Sequence, residues 1–289
     1  MTVVPDIGLG CANLLSATLP EFIDAAEHAG FRRITVRPYS FATALRAGWT
    51  ETAIQRRLAD AGITVTMIDA IAGALPGALE RADDAVRKRL PPDALDPIPE
   101  AECFRTATVL GAPIVNLTHY LGRALLVEEA AEAVGGVCRR AAPRGLRICL
   151  EFIPDSGLPD LQFAQEVVEA CREPNAGVLL DVFHLDRSDG TVDDVRRLPP
   201  NAITGIQLSD RRRPPPGTAY VPLSGRLLPG DGELPLRELV EAALENSPDA
   251  TIDVEVLNDE LRALSAEDAA LELARSARAW RASVNERMS

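Results

Sequence analysis

Short apolar runs recur along the chain, and amphipathic segments separate them. The apolar runs are mostly four to eight residues long, a length typical of strands that are buried on both faces. Seven of these runs lie at 33–36, 63–68, 113–118, 146–152, 176–181, 203–210 and 250–257. A less regular run, VVPDIGLG, opens the chain at 3–10. The pattern therefore predicts eight strands.

Segments with helical spacing of apolar residues follow most of the predicted strands. In 19–31, Phe22, Ala26 and Ala29 fall on one side of a helix, and Gly30 is a stop signal. Further helices are predicted at 51–62, 99–112, 126–145, 158–174, 191–199, 234–246 and 265–284. This alternation of strands and helices favours a parallel sheet covered by helices.

Eight strand–helix units in one chain of 289 residues predict a closed (β/α)₈ TIM barrel. An open, doubly wound sheet is the structural alternative. No linker or low-complexity segment divides the sequence, so we expect a single domain over 1–289. The stretch near 70–97 contains GALPGALE and LPPDALDP, and it predicts an irregular insertion with a short helix.

Composition and charge narrow the classes of partner. The formal net charge is −13, and such a polyanion repels a phosphate backbone, so we expect no nucleic-acid partner. The beginning of the sequence lacks a signal-peptide pattern, and no stretch approaches the roughly 20 apolar residues of a membrane span. Five scattered cysteines without a CxxC pair favour a reducing compartment. We therefore expect a cytoplasmic protein with no membrane partner, and the sequence leaves a homo-oligomer open.

Four consecutive predicted strands carry an oxygen-bearing side chain near their C-terminal ends. These residues are Glu151, Asp181, Gln207 and Glu255. The strand ends of a TIM barrel form its active site, so we expect the four side chains to converge. Clustered carboxylates repel each other unless a cation lies between them, and oxygen ligands suit Mg²⁺ or Mn²⁺. A single acidic strand end is more often a helix cap or a solvated residue, but four in succession predict one divalent metal site.

The chain has only three histidines, and their positions differ. His184 comes three residues after Asp181, on the predicted loop over the site, where it could bind the metal or act as an acid or base. His119 follows the strand at 113–118 and is a candidate for substrate binding. His28 lies within a predicted helix and is interpreted as structural. For each of them, a packed and hydrogen-bonded histidine is the plainer alternative.

At these residues the chain resembles the xylose-isomerase-like TIM barrels, the sugar phosphate isomerase/epimerase superfamily. The segments that carry the resemblance are LEF, GVLLDVFH, IQLSD, RLLPGDGELPL and VEVLNDEL. The resemblance implies one divalent metal ion held by Glu151, Asp181, Gln207 and Glu255. Tagatose 3-epimerase-like members usually have histidine at the position of Gln207.

Within that superfamily the chain is similar to bacterial 3-dehydroshikimate dehydratases. They share a glutamine at the place of Gln207, an arginine before a PGxGE segment, here Arg226 and 229–233, and an ExxND ending. The resemblance implies that His184 lies near the substrate and that Arg226 holds an anionic group. The dehydratases carry an arginine just after strand three, where this chain reads MIDAIAGAL. We expect Arg37, after the second strand, to bind substrate in its place.

These residues predict a reaction class rather than one reaction. A divalent ion that polarises a carbonyl makes the neighbouring C–H more acidic. We therefore predict a metal-dependent isomerase or epimerase of a small hydroxy-carbonyl substrate, sugar or cyclitol-like, that reacts through an enolate or enediolate. Glu151, Glu255 and His184 are the predicted proton-transfer groups. A dehydratase of the 3-dehydroshikimate or inosose type is the alternative, because expulsion of a β-hydroxyl uses the same site.

Three other classes fit less well. An endonuclease on this barrel is expected to hold a trinuclear zinc cluster with many histidines, which three histidines and a net charge of −13 do not support. A metal-free binding barrel is the second, and the intact LEF, LLDVFH and DVEV segments argue against it. A dinucleotide-dependent oxidoreductase is the third, but GLGCAN has the wrong spacing for a GxGxxG fingerprint.

Overall fold

Eight parallel strands form a closed barrel in the computed structural model of the protein, which describes residues 3–81, 84–88, 97–213 and 224–287. Each strand pairs with the next one along the chain, and the last pairs with the first. The strands are β1 (Gly8–Leu9), β2 (Arg33–Val36), β3 (Thr64–Ile71), β4 (Ile114–Thr118), β5 (Arg147–Glu151), β6 (Ala176–Asp181), β7 (Ile203–Leu208) and β8 (Thr251–Val254). The predicted TIM barrel is therefore confirmed, and the open sheet is excluded.

Helices follow the strands on the outside of the barrel. They are α1 (Leu19–His28), α2 (Pro38–Arg46), α3 (Glu51–Asp60), α4 (Asp84–Arg87), α5 (Glu100–Leu110), α6 (Val127–Ala141), α7 (Leu161–Cys171), α8 (Val182–Arg187), α9 (Val192–Arg196), α10 (Leu236–Asn246), α11 (Asp259–Arg262) and α12 (Ala266–Arg287). Short 3₁₀ helices lie at Cys11–Leu14 and Ala142–Arg144. Every helix predicted from spacing is present. Among the described helices, none combines the length and apolar character needed to cross a membrane.

Helix α2 is absent from the sequence-based predictions. It begins at Pro38, directly after β2, and buries Phe41 and Ala44. Proline is well suited to the first turn of a helix, because that position has no intrahelical partner for an N–H group. The apolar spacing is present but short, and the segment was therefore easy to overlook beside the stronger pattern of α3.

The stretch predicted as an irregular insertion begins later than expected. Strand β3 continues to Ile71, three residues beyond its predicted end, so Asp69 belongs to the sheet. The short helix α4 lies within the stretch. Residues 82–83 and 89–96 of the predicted insertion lie outside the described residues.

The GLGCAN segment closes the barrel. The Asn13 side chain donates to the backbone oxygens of Gly10 at 2.7 Å and Val254 at 2.8 Å, and it accepts from the Val256 N–H at 2.7 Å. A Cβ atom at Gly10 would lie only 2.8 Å from the Val254 oxygen, which explains the glycine. This segment therefore joins β1 to β8, a structural role.

Two layers of side chains fill the barrel towards its C-terminal end. The lower layer is apolar and consists of Met67, Ile114, Cys149 and Leu179, all buried. Because side chains alternate along a strand, residues two positions further on point into the barrel as well. These residues are Asp69, Asn116, Glu151 and Asp181. A polar layer therefore lies directly above an apolar one.

Candidate active site

The polar layer is completed by residues of the last two strands. Gln207 is in β7, and Glu255 directly follows β8, where its N–H donates to the Leu208 oxygen. Glu151, Asp181, Gln207 and Glu255 are each no more than 4% exposed. Gln207 contacts Glu255 directly, Arg226 connects Glu255 with Asp181, and His184 connects Asp181 with Glu151. The convergence expected from the strand ends is thus seen in the fold, whereas metal binding by these residues stays a prediction.

Asp181 has two tasks, one for each carboxylate oxygen. Its Oδ1 accepts the backbone N–H groups of Phe183 at 2.8 Å and His184 at 3.1 Å, and it thereby caps α8. Its Oδ2 lies 2.8 Å from Nη1 of Arg226. Burial opposes ionisation, but Arg226 and His184 bring the pKa of Asp181 below its ordinary value. The residue is therefore both a helix cap and an ionised member of the site.

His184 lies in the first turn of α8 rather than on a loop. Its Nε2 is 3.6 Å from Asp181 Oδ2 and 3.7 Å from Glu151 Oε1. The three side chains offer ligand atoms that all lie within 4.8 Å of one another, a spacing compatible with one shared metal ion. Burial lowers the pKa of His184 to about 4, so its imidazole is neutral at pH 7. A neutral imidazole can either bind a metal or accept a proton.

The amide nitrogen of Gln207 has hydrogen-bond partners, whereas its amide oxygen has none among the described residues. Its Nε2 donates to Glu255 Oε1 at 3.1 Å and to Asp69 Oδ2 at 3.3 Å. Its Oε1 is buried without a hydrogen-bond partner in the described part of the chain. Buried polar atoms nearly always have a partner, so this oxygen needs one. A divalent cation meets that need, and the surrounding oxygen and imidazole donors fit such an ion.

Arg226 is a buried cation among the carboxylates. Its Nη1 lies 2.8 Å from Asp181 Oδ2 and 3.1 Å from Glu255 Oε2, and its Nη2 lies 3.3 Å from His184 Nε2. The guanidinium carbon is 4.8 Å from the centre of the Phe183 ring. Burying a charge is costly unless the charge is paired, and these contacts supply the pairing.

The two glutamates are hard to ionise without a further cation. Burial raises the pKa of Glu151 well above its ordinary value, and Asp69 and Glu255 raise it further. Burial also raises the pKa of Glu255 to about 8, against the lowering effect of Arg226. A bound divalent ion favours the ionised carboxylate, and metal binding therefore displaces protons.

Two members of the polar layer were missed in the sequence. Asn116 donates through Nδ2 to Asp69 Oδ1 at 2.7 Å and to Glu151 Oε2 at 2.7 Å. Asp69 comes just after the predicted end of the strand at 63–68, and Asn116 lies within a strand rather than at its end. The signal that identifies both is the two-residue step from Met67 and Ile114, because these apolar residues mark the inward-facing positions of β3 and β4.

His119 contacts backbone atoms on both sides of its ring. Its Nδ1 accepts the N–H of Gly157 at 2.8 Å, so the proton is on Nε2, which donates to the Pro76 oxygen at 3.0 Å. A Cβ atom at Gly122 or Gly157 would lie within 2.5 Å of the ring. Burial lowers the pKa of His119. The ring joins the segments that follow β3, β4 and β5, and its predicted contact with substrate stays untested.

Arg37 lies at the end of β2, beside a cavity of about 280 Å³. Its Nη1 is 3.5 Å from the Leu15 oxygen, and its guanidinium is 5.8 Å from the ring centre of Tyr39. Trp49 also lines this cavity. The described contacts of Arg37 are thus with the segment before α1 and with α2. The predicted contact of Arg37 with substrate also stays untested.

The SD and PGDGE motifs position Arg226 by means of Asp210. The buried Asp210 carboxylate accepts backbone N–H groups of Arg211, Gly230, Gly232 and Leu234. Its backbone pairs with Leu227, the residue after Arg226. On the other side, Asn258 Nδ2 donates to the Arg226 oxygen at 3.2 Å. The motifs therefore hold the backbone that carries the arginine.

Asp210→Ala should lower both stability and the amount of correctly placed Arg226. One unpaired buried donor costs about 1–3 kcal/mol, and four N–H groups lose their acceptor, so we expect a loss of at least that size in the free energy of unfolding. Asp231→Ala, which changes an exposed residue in the same segment, is the matched control. Urea unfolding of both variants measures the difference, and equal stabilities would contradict the structural role of Asp210.

Comparisons with known proteins agree with this fold. The sequence model described as xylose isomerase-like TIM barrel matches residues 23–282. Inosose isomerase of Halalkalibacterium halodurans is 25% identical over 171 residues, which covers 58% of this chain and 60% of the relative. The 3-dehydroshikimate dehydratase of Pseudomonas aeruginosa is 25% identical over 259 residues, which covers 86% of this chain and 38% of the relative. The chain thus matches less than two thirds of the length of either relative.

A solved structure extends the comparison to the whole fold. The 1.8 Å crystal structure of the IOLI protein with a bound zinc atom superposes with a TM-score of 0.79, at 18% identity, over 98% of this chain and 99% of that chain. At this identity the likeness concerns the fold alone. The match to the family model covers most of the sequence, and the strand order and the barrel agree with it. The chain therefore belongs to the xylose isomerase-like TIM barrel family.

Proposed function

We propose that the protein is a divalent-metal-dependent isomerase or epimerase of a small hydroxy-carbonyl substrate, such as a sugar or a cyclitol. The observation that carries the proposal is the buried Oε1 of Gln207, which lacks a hydrogen-bond partner among the described residues beside a cluster of carboxylates. The similarity to an inosose isomerase supports the substrate class.

The residues proposed to hold the ion are Glu151, Asp181, Gln207 and Glu255, and the imidazole of His184 lies beside them. When bound, a divalent ion such as Mn²⁺ or Mg²⁺ supplies Lewis-acid polarisation of a substrate carbonyl. The single guanidinium of Arg226 contacts two of these carboxylates, which leaves the cluster with an excess of negative charge when all are ionised.

Glu151 and Glu255 are the proposed proton-transfer groups. Burial raises the pKa of both carboxyl groups, which makes each of them a stronger base for proton transfer. Removal of the α-proton by one glutamate, and donation of a different proton to the opposite face by the other glutamate in its protonated form, gives epimerisation. Return of the proton to the neighbouring carbon gives isomerisation. His184, neutral and next to Glu151, is placed to move a hydroxyl proton.

A dehydratase is the second candidate. The 3-dehydroshikimate dehydratase relative aligns over 86% of this chain, a larger share than the inosose isomerase covers. Dehydration needs a proton donor for the departing hydroxyl, and His184 is the proposed donor once its Nε2 has accepted the proton that leaves the substrate carbon. The same enolate precedes both outcomes, so the substrate decides between the two candidates.

A panel of substrates should separate the candidates. We expect the enzyme, loaded with Mn²⁺ or Mg²⁺, to exchange the α-proton of a keto sugar or an inosose with solvent D₂O and to form an isomeric product. NMR follows both events, and chelation by EDTA should stop them until metal is returned. Loss of water from 3-dehydroshikimate or an inosose would instead assign the dehydratase. Absence of metal binding and of exchange would contradict both and favour a non-catalytic barrel.

A further inference from the structure

The Asp69 carboxylate accepts hydrogen bonds from two buried amides. Its Oδ1 receives Asn116 Nδ2 at 2.7 Å, and its Oδ2 receives Gln207 Nε2 at 3.3 Å. The same two nitrogens also donate to the proposed metal ligands. Asn116 Nδ2 donates to Glu151 Oε2 at 2.7 Å, and Gln207 Nε2 donates to Glu255 Oε1 at 3.1 Å. Asp69 is therefore common to two parallel chains of hydrogen bonds.

The bonds of the Gln207 amide nitrogen determine where its oxygen points. Both N–H groups of Gln207 go to carboxylates, one from Asp69 and one from Glu255. A rotation of the amide by half a turn would direct Oε1 at these two carboxylates, and the contact would be repulsive when they are ionised, the state that a bound metal ion favours. The observed orientation keeps Oε1 on the other side, where it lacks a partner in the described residues.

The hydrogen bond from Asn116 orients the carboxylate of Glu151 in a comparable way. Asn116 is fully buried, and its amide nitrogen binds one oxygen of Glu151. That bond leaves Oε1 of Glu151 directed at His184, at 3.7 Å from its Nε2. Partners of metal ligands commonly fix ligand orientation and tune affinity.

We propose that Asp69 is a positioning residue of the metal site, which fixes both amides so that Gln207 and Glu151 each present Oε1 to the ion. The inference rests on the proposed function, because it takes Gln207 and Glu151 as metal ligands. It adds a residue that neither the strand-end pattern nor the relatives' names indicate. Asp69 acts through the two amides and has no assigned contact with the reacting atoms.

Asp69→Asn tests the proposal, because asparagine has one acceptor and one donor where aspartate has two acceptors. The new N–H group faces the N–H group of Asn116 or of Gln207, and one of the three amides must turn. Asp69→Ala is the matched control, since it removes the same charge but introduces no donor. If only the negative charge of Asp69 matters, the two variants should lose equal amounts of metal affinity. A positioning role predicts a larger loss in Asp69→Asn.

The measurement is Co²⁺ affinity by calorimetry on the purified, chelator-treated proteins, with a parallel absorption spectrum. We expect Asp69→Asn to weaken binding by about 10–100-fold, the usual cost of losing a partner of a metal ligand. We expect its Co²⁺ spectrum to shift towards that of Gln207→Ala. Losses that agree within about two-fold between Asp69→Asn and Asp69→Ala, or a spectrum like that of wild type, would overturn the proposal.

A double-mutant cycle with Gln207→Ala gives a second, independent readout. If Asp69 acts through Gln207, the effect of Asp69→Asn, or of Asp69→Ala if Asn prevents folding, should shrink by more than about two-fold once Gln207 is absent. An unchanged effect would contradict the coupling. A wild-type protein that binds no Co²⁺ contradicts the proposed function itself, and this outcome is seen before any variant is compared.

Discussion

Asp181→Asn should abolish turnover and remove the metal-dependent rise in unfolding temperature while the metal-free fold persists. Asparagine keeps an oxygen that can accept from Phe183 and His184, so the cap of α8 is retained. It replaces the ionised Oδ2 by a nitrogen that cannot bind a cation. Lewis-acid stabilisation is worth several kcal/mol, so we expect turnover to fall by about 10³-fold or more.

The stability measurement separates the two tasks of Asp181. A ligand that binds only the native state stabilises it by about 2.7 kcal/mol at 100 times its dissociation constant, and Asp181→Asn should lose this gain. Asp181→Ala should lose the cap in addition, at a cost of about 1 kcal/mol. Asp193→Asn, which changes an exposed carboxylate in α9, is the control. Wild-type turnover by Asp181→Asn would refute the assignment of the metal site.

The fold was predictable because most strands coincide with a short, predominantly apolar run. Strands β2 and β6 have their predicted bounds, five others agree with theirs to within three residues, and β1 begins five residues later than predicted. Runs buried on both faces leave little doubt about type, whereas ends depend on hydrogen bonds that the sequence does not display. The error at β3 had the largest consequence, because three additional residues bring Asp69 into the sheet.

The candidate site was predictable where a carboxylate ends a strand, and not elsewhere. Glu151 and Asp181 stand out because a charged residue follows three or more apolar ones. Asn116 is followed by a further apolar residue and is easily taken for a tolerated polar residue in a strand. Its role depends on the opposing carboxylates of β3 and β5, and this information is in the tertiary pairing.

The two histidines that follow strands also show how far the sequence alone predicts a site residue. His119 and His184 both follow an apolar strand, and both are buried. The ring of His119 is held by backbone atoms of Pro76 and Gly157. The Nε2 atom of His184 instead faces Glu151, at a distance that only the fold reveals. Spacing from a strand end therefore identifies a candidate, and the partner atoms decide its chemistry.

His184→Asn should lower the rate of the chemical step by about 10²-fold or more while leaving most of the metal affinity in place. The imidazole is neutral, and its Nε2 lies between Glu151, Asp181 and Arg226, within 3.7 Å of each. Asparagine has no nitrogen that can accept a proton from the substrate and pass it on. Single-turnover kinetics, Mn²⁺ affinity and urea unfolding of the same variant provide the test.

Each alternative role of His184 predicts a different set of results. If the imidazole is a metal ligand, Mn²⁺ affinity falls together with the rate, and excess Mn²⁺ restores part of the activity. If the ring serves only in packing between α8 and its neighbours, stability falls and the folded fraction reacts at the wild-type rate. His119→Asn measures the stability cost of replacing a buried histidine that backbone atoms hold. A slow chemical step with wild-type metal affinity and little loss of stability is the outcome expected for a proton-transfer group beside the metal site.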